Sequence, residues 1–346
     1  MIRSRKEPHM MKHARTIRLV PVAVALGLSL GWLAGGAPGA EAAAGKKKMA
    51  MVMPGSIQDA DFNAVGYVAL QELAKAYDMQ VSHSESVAVA DAERISREYI
   101  SAGYDIIAYH GGQYPTIMAK LAAQFPNVAF IQEGSGRLPN LPPNAWSLGR
   151  KFYQGFYALG AMGALATKTN KVGFVGGVRL PDVISSINAV KHAAKEHNPK
   201  AQVIYNLIGD FNDPVKARQT TEAQIGAGVD FVVIFVNLGL SGVIEAIKTS
   251  QKPVLLTTFY TEKWELAPKN MTVSLLFDFT KPYKEIVGRI LKGERTGYYE
   301  MRPGSGMELS DIRNVSPEVS AKVKGIFRDV VAGKGLPPEV TDKVLD

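Results

Sequence analysis

The sequence contains no cysteine, which excludes disulfide bonds and a lipid anchor linked through a thiol. Histidine is scarce as well, since only six occur. None of the four beyond residue 44 belongs to a His-x-x-x-His pair. Such pairs mark many zinc-binding helices. We therefore expect no metal site, no bound cofactor and no general acid–base pair.

Sequence motifs typical of enzymes are also missing. Residues 239–242 (Gly-Leu-Ser-Gly) set a serine between glycines but lack the spacing of a nucleophile elbow. Gly176-Gly177 lacks the third glycine of a dinucleotide-binding fingerprint. No glycine-rich loop ends in Gly-Lys-Ser/Thr, as a phosphate-binding loop would. We therefore expect that the protein is not an enzyme.

Basic residues form no stripe beyond the first 44 residues. Residues 1–44 hold six Lys/Arg and two Asp/Glu, so the rest of the chain carries +4 of the formal net charge of +8. Apart from one short run, Lys46-Lys47-Lys48, the remaining charges of both signs are interspersed. A nucleic-acid partner would require a clustered basic surface, so we expect none.

The first 44 residues have the composition of a secretory signal peptide. A basic segment that ends at Arg18 precedes an uncharged apolar run over residues 19–34, and the small residues at 40–44 suit cleavage. The alternative is a membrane anchor, but a run of 16 residues that contains Pro21 is short for a span. We therefore predict a signal peptide over residues 1–44 and a cleaved protein that is periplasmic or secreted, with no lipid-anchor cysteine.

Beyond residue 44, short apolar runs alternate with amphipathic stretches. The runs that predict strands are 49–53, 80–83, 105–109, 128–132, 171–175, 202–206, 231–235, 253–257 and 272–277. The stretches that predict helices are 62–77, 88–102, 114–124, 152–166, 182–197, 215–226, 241–250, 283–292 and 317–332. This alternation predicts parallel sheets with helices on both faces. Two regions rich in Pro and Gly, 133–146 and 298–306, are predicted to be irregular connections.

The order of the predicted elements repeats. Residues 48–132 hold four strand–helix units, and residues 171–257 hold four more. Two similar α/β lobes joined by short crossings would leave a cleft between them, and the carboxyl ends of both sheets would face it.

Polar and aromatic residues recur where the predicted strands end. The first strand is followed by Ser56, Asp59, Phe62 and Asn63, and Asp61 suits the N-cap of the next helix. Later strands are followed by His110, Phe211, Asn237, Gly239 and Thr258. Because these loops should converge on one cleft, they predict a binding site without reactive groups. Its aromatic faces would bury a planar ligand, and its polar groups would fix the ligand's orientation.

Phe62 and Phe211 each have two interpretations. Either ring could simply cap the helix behind it as part of the core. Alternatively, because the two rings lie in equivalent loops of the predicted lobes, they could hold a flat ligand between them, with stacking worth about 1–3 kcal/mol per base. His110 likewise could contact the ligand or only hydrogen-bond within its glycine-rich turn.

Four segments carry a family resemblance: residues 59–63 (Asp-Ala-Asp-Phe-Asn), 152–160, 171–177 and 209–214 (Gly-Asp-Phe-Asn-Asp-Pro). In these four segments above all, the chain resembles the basic membrane protein family of periplasmic substrate-binding proteins, which includes purine nucleoside receptors of ABC importers. The resemblance implies the type I periplasmic binding protein fold, an α/β fold of two Rossmann-like lobes with a hinge and an interlobe cleft. It also implies a small-molecule ligand and an ABC permease and ATPase complex as partners. The family topology places the lobes at 45–148 with 278–302, and at 149–277 with 303–346.

The resemblance also implies roles for particular residues. In nucleoside-binding members, two Phe rings stack the base, and by position these are Phe62 and Phe211. Ser56 and Asn63 would be polar contacts, and Gly239 a close backbone approach. Where the family usually has an aspartate and a lysine that hold the ribose, this chain has Thr257 or Thr258, and Phe277 or Asp278. The complete predicted ligand-binding set is Ser56, Asp59, Phe62, Asn63, His110, Phe211, Asn237, Gly239, Thr258, Phe277 and Asp278.

The predicted function is therefore that of an exported solute-binding protein. It would capture a small planar solute, a purine base or a nucleoside-like molecule, and deliver it to an ABC importer. A bare purine fits better than a nucleoside because the ribose-holding groups are replaced. One alternative is a ligand-sensing periplasmic module that signals to a membrane receptor, and another is a binder of a non-purine small aromatic or apolar solute.

Overall fold

A computed structural model describes residues 45–346, so the predicted signal peptide lies outside the described residues. Strands and helices alternate through the described range, as the apolar pattern predicts. No helix in this range is long and apolar enough to cross a membrane.

The strands of the described range form one mixed sheet. They are β1 (Lys48–Val52), β2 (Gln80–Ser84), β3 (Ile106–Tyr109), β4 (Ala129–Gly134), β5 (Ala145–Arg150), β6 (Lys171–Gly176), β7 (Gln202–Leu207), β8 (Phe231–Phe235), β9 (Leu255–Tyr260), β10 (Met271–Phe277), β11 (Gly297–Pro303) and β12 (Gly306–Leu309). Their order across the sheet is β2-β1-β3-β4-β5-β11-β12-β10-β9-β8-β6-β7. We call β2 to β11 in this order the first half-sheet, and β12 to β7 the second half-sheet.

Pairing is parallel within both half-sheets, except that β12 runs antiparallel to β10. Within residues 45–346, strands of the two half-sheets pair with each other only where β11 lies beside β12, through Arg302–Gly306 and Pro303–Met307. This short contact is the seam between them. Because the strands within each half-sheet are nearly all parallel, their carboxyl ends lie along one edge, where ligands bind in open α/β sheets.

The helices cover the faces of the sheet and agree closely with the amphipathic pattern. They are α1 (Phe62–Tyr77), α2 (Val89–Ser101), α3 (Pro115–Gln124), α4 (Phe152–Ala166), α5 (Pro181–His197), α6 (Pro214–Gly226), α7 (Leu240–Thr249), α8 (Thr280–Leu291) and α9 (Pro317–Val331). Helix α4 is apolar nearly all round and therefore lies in the core. Gly160 lets it approach α5 closely, because a Cβ at that position would lie 2.6 Å from the Cα of Val190.

The predictions of irregular connections at 133–146 and 298–306 are wrong in part. Strand β5 begins inside the first region, and β11 and β12 occupy most of the second, on either side of a turn at Gly304. These strands are stabilised by pairing with distant segments, since β11 pairs with β5 and β12 pairs with β10. Local composition does not show such pairing.

The chain passes between the half-sheets at three places: from β5 to α4, from β10 to α8, and from β11 to β12. Helix α8 packs on α1, beside the first half-sheet. The predicted lobe boundaries after residues 148, 277 and 302 remain predictions, because they concern which parts move together.

Candidate functional site

The loop that joins β1 to α1 is closed by Asp59. Its Oδ1 accepts hydrogen bonds from the backbone N–H groups of Asp61 (2.9 Å) and Ala64 (3.0 Å). Its Oδ2 accepts from the backbone N–H (3.0 Å) and the Nδ2 (2.7 Å) of Asn63. Asp59 therefore satisfies the free donors at the start of α1, and Asn63 is tied to it.

Asp61 lies at the N-cap position of α1, as predicted, but its side chain makes no capping hydrogen bond. Its carboxylate instead forms an ion pair with Lys263, at 2.5 Å between Oδ1 and Nζ, and the two side chains are only 5% and 8% exposed. Burial raises the pKa of Asp61 to about 6, although Lys263 acts in the opposite direction. Burial has this effect because it penalises the charged form.

The Asp61–Lys263 pair joins the two half-sheets. Lys263 follows β9 of the second half-sheet and also donates to the carbonyl oxygen of Phe259 at 2.8 Å. Beside it, the hydroxyl of Thr261 donates to the carbonyl oxygen of Ala60 at 3.0 Å. The loop before α1 is therefore held directly against the loop after β9.

Phe62 lies at this boundary and is only 8% exposed. Its ring stacks on His110, with 4.0 Å between the centroids and 15° between the planes. Tyr260 and Phe279 each lie 5.8 Å away, and the guanidinium carbon of Arg150 lies 5.1 Å from the ring centroid. Phe62 thus belongs to a packed cluster at the carboxyl ends of the strands, and its contact with a ligand stays a prediction.

His110 is fully buried and holds Phe62 in place. Its Nε2 lies 2.8 Å from the carbonyl oxygen of Phe62, so Nε2 must donate, and Nδ1 then accepts from the hydroxyl of Tyr283 at 3.0 Å. Burial lowers the pKa of His110 to about 3. The imidazole is therefore neutral, and both its ring nitrogens are already occupied by protein partners. Gly66 makes room for it, because a Cβ there would lie 2.4 Å from Nε2.

Phe211, Asn237 and Gly239 come together at the end of the second half-sheet. The carbonyl oxygen of Phe211 accepts from the backbone N–H groups of Asn237 (2.9 Å) and Gly239 (3.1 Å). The ring of Phe211 is partly exposed and packs over Gly177, where a Cβ would lie 2.2 Å from its Cδ1. These three predicted residues therefore form one structural unit.

A row of aromatic rings connects Phe62 to Phe211. It runs through Tyr260, Phe259 and Phe235, with successive centroid distances of 5.8, 4.4, 5.1 and 6.2 Å. We call these five residues the aromatic row. Tyr260, the second ring of the row, has φ +69°, a conformation that is strained for a bulky side chain and that clusters at functional sites.

The remaining predicted residues are engaged in different ways. Thr258 is buried, and its hydroxyl hydrogen-bonds to that of Ser274. Asp278 is exposed and accepts from the backbone N–H of Thr280 at 2.8 Å, at the start of α8. Phe277 packs against Tyr260 at 4.9 Å, beside the aromatic row. Ser56 is exposed and accepts a bond from the backbone of Gln58.

Sequence reasoning missed a buried charged cluster of Glu133, Arg150 and Asp182. Arg150 is the last residue of β5, and its Nε pairs with Oε1 of Glu133. Its Nη2 lies 3.7 Å from Oδ2 of Asp182 on α5. Burial raises the pKa of Glu133 to about 7; Arg150 opposes this shift, and Asp182 adds to it. A charged residue directly after the apolar run 128–132 was the available signal for Glu133. Arg150 was hidden because β5 was not predicted.

The site therefore combines buried aromatic rings with buried charges, and of the aromatic row only Phe211 is partly exposed. Solved structures that share this fold include solute-binding proteins of ABC transporter systems and transcription regulators such as a putative LacI-family repressor of Corynebacterium glutamicum, which has a TM-score of 0.61 at 14% identity and covers 78% of this chain and 99% of its own. One from Conexibacter woesei DSM 14684 matches with a TM-score of 0.69 at 22% identity, and covers 85% of this chain and 99% of its own. Another, from Aeropyrum pernix K1, has a TM-score of 0.74 at 15% identity and covers 86% and 95%. The fold is that of the type I periplasmic binding proteins, as predicted.

The model of the Bmp family, described as ABC transporter substrate-binding protein PnrA-like, matches residues 46–301. The chain belongs to this family, which confirms the resemblance found in the sequence. One relative is basic membrane protein D of Borreliella burgdorferi, 27% identical over 300 residues that cover 83% of this chain and 86% of that protein.

Two further relatives carry the names of ligands. A purine-binding protein of Brucella abortus is 29% identical over 205 residues, which cover 58% of this chain and 57% of that protein. A putative ABC transporter glucose-binding protein of Haloferax volcanii is 26% identical over 263 residues, which cover 74% of this chain and 64% of that protein.

Proposed function

We propose that this protein is an exported solute-binding protein that captures a purine base or a nucleoside-like planar solute and delivers it to an ABC importer. The observation that carries the proposal is the aromatic row, which crosses the carboxyl ends of both half-sheets between Phe62 and Phe211. Aromatic faces bury planar ligands, and a few convergent polar groups orient them. The name of the Brucella abortus relative supports a purine. Export is supported by the composition of residues 1–44.

A bare base suits this site better than a nucleoside. The hydroxyl of Thr258 is already bound to Ser274, and the carboxylate of Asp278 is exposed and bound at the start of α8. These positions therefore offer little to a ribose. A sugar-free purine would need only the rings of the aromatic row and the buried polar groups.

Calorimetry and thermal unfolding with adenine, adenosine and glucose test the ligand class. We expect adenine to bind and to raise the melting temperature, because a ligand at about 100 times its Kd adds about 2.7 kcal/mol to stability. If no purine or nucleoside binds, the ligand proposal fails. Stimulation of the partner permease and ATPase in proteoliposomes, measured with and without ligand, tests delivery.

Glucose is the second candidate, because the Haloferax volcanii relative is named as a glucose-binding protein. Aromatic side chains also stack on the apolar faces of sugars, so the aromatic row alone does not separate the two ligands. Binding of glucose with no response to adenine would favour this candidate.

A further inference from the structure

Glu133 is a fully buried carboxylate with unused hydrogen-bonding capacity. Neither of its oxygens accepts a hydrogen bond of normal geometry from the part of the chain that the structure describes. Oε1 is in an ion pair with Nε of Arg150. A buried acceptor without a donor is costly, and native proteins keep few of them.

The position of Glu133 places this carboxylate at the candidate site. Glu133 is the next-to-last residue of β4, and Arg150 is the last residue of the neighbouring β5. The guanidinium of Arg150 also lies 5.1 Å from the ring centroid of Phe62 and reaches Asp182 of α5 at 3.7 Å. The carboxylate therefore lies at the boundary of the half-sheets, close to one end of the aromatic row.

The charges around Glu133 favour a ligand that donates hydrogen bonds. Two buried cations, Arg150 and Lys263, face three buried carboxylates, those of Glu133, Asp182 and Asp61. The excess is negative, and the Glu133 carboxylate can only accept while it is ionised. Burial is the main cause of the raised pKa of Glu133, and the neighbouring carboxylate of Asp182 adds to it. An N–H group of a ligand would supply the missing donor.

We propose that Glu133 selects planar nitrogen heterocycles that carry an amino group, such as aminopurines, by accepting a hydrogen bond from that group. The inference rests on the proposed function, since the ring is taken to stack along the aromatic row. Arg150 is then a positioning residue, which orients the carboxylate and balances its charge. A ring without the amino group would leave the Glu133 oxygen unpaired and bind less tightly.

The test compares adenine with unsubstituted purine, two ligands that differ only in the amino group. Because a hydrogen bond to a charged group contributes about 1.5–3 kcal/mol, we expect wild-type protein to bind adenine about 10-fold or more tightly than purine. In Glu133→Gln the ratio should fall several-fold. A wild-type ratio near unity would overturn the proposal without any variant.

Asp182→Asn is the matched control. It also removes a buried carboxylate beside Arg150, but one oxygen of Asp182 already accepts from the backbone N–H of Val183. We expect the adenine-to-purine ratio to survive in this variant. Equal loss of the ratio in both variants would assign the effect to general electrostatics and overturn the role of Glu133. Unchanged circular dichroism and melting temperature establish that each variant is folded.

A second ligand pair separates this inference from the proposed function. 2-Aminobenzimidazole and benzimidazole also differ by one amino group but are not purines. If this pair is discriminated through Glu133 while no purine binds, the purine proposal fails and the inference stands. If purines bind without discrimination, the inference fails and the proposed function stands. If neither pair binds, both are overturned.

Discussion

Replacement of Lys263 by methionine should leave Asp61 as a buried carboxylate without its counter-ion. The Asp61–Lys263 pair is almost fully buried, with 2.5 Å between Oδ1 and Nζ. Removal of one partner of a buried ion pair costs about 3–5 kcal/mol, because the other charge remains desolvated. Even with Lys263 present, burial raises the pKa of Asp61 from its ordinary value of 3.8 to about 6. At 1.36 kcal/mol per pKa unit, this shift corresponds to a free-energy cost of about 3 kcal/mol for keeping Asp61 ionised in the folded protein.

The sign of the pH dependence follows from that shift. Between pH 3.8 and the folded-state pKa, Asp61 is protonated in the folded protein but ionised in the unfolded chain. The folded state then binds more protons, so its stability rises as the pH falls. Loss of Lys263 raises the folded-state pKa further, because Lys263 lowers it in the wild type. The cost of Lys263→Met should therefore shrink by about 1–2 kcal/mol between about pH 7.5 and about pH 5.5.

Urea unfolding of the wild-type protein and Lys263→Met at about pH 7.5 and about pH 5.5 measures this change in the cost of the substitution. Glu133 titrates in the same interval in wild type and variant, so only the difference between them is interpreted. The control is Lys46→Met, which breaks an ion pair with Asp78 whose side chains are 64% and 81% exposed. Such surface pairs contribute about 0–1 kcal/mol. The reasoning would be refuted if Lys263→Met lowered the free energy of unfolding no more than Lys46→Met does, or if its effect were independent of pH.

Three further predictions concern the site and its supports. Phe62→Leu should keep most of the packing against His110 but remove aromatic stacking. Calorimetry should then show purine affinity lowered by about 10-fold, with only a small change in melting temperature. Unchanged affinity would leave Phe62 as a core residue only. Asp59→Ala should lower the free energy of unfolding by about 1–2 kcal/mol, because it removes the cap of α1, whereas Ser56→Ala, which loses one exposed contact, should lower it less. Gly160→Ala should destabilise by about 1–3 kcal/mol, because the new Cβ meets the backbone of Val190, whereas Gly226→Ala, with open space around it at the end of α6, should be neutral or stabilising. Denaturant titrations of both glycine variants measure their free energies of unfolding. Equal changes in the two variants would contradict the packing argument.

Much of the fold is predictable because strands such as β3 and β8 are fully apolar, as is β1 after Lys48, and are bounded by polar or glycine-containing segments. Strands β5, β11 and β12 were missed for a physical reason. Each contains glycine or charged residues, and each is stabilised by neighbours far away in the chain, as when β11 pairs with β5. Pairing of this kind is a property of the folded molecule and leaves no local pattern.

The same distinction applies to the candidate site. Phe62 and Phe211 were found because large aromatic residues stand out in polar loops, and the structure links them through the aromatic row. Whether they bind a ligand remains a prediction. Asp61 was predicted as the N-cap of α1, but the side-chain hydrogen bonds to the start of the helix come from Asp59, while the Asp61 carboxylate pairs with Lys263, which is distant in sequence. The partners of Glu133 were hidden for the same reason.

The seam between β11 and β12 has a mechanical consequence. A sheet deforms most easily where the fewest hydrogen bonds must break, and the seam consists of two residue pairs, whereas β6 and β7 share six. Bending should therefore be concentrated at residues 302–307, while the pairing inside each half-sheet stays intact. The backbone amides at the seam should accordingly exchange with deuterium faster than those of β4 or β8. Equal protection of the seam and these strands would mean that the sheet deforms as a single stiff plate.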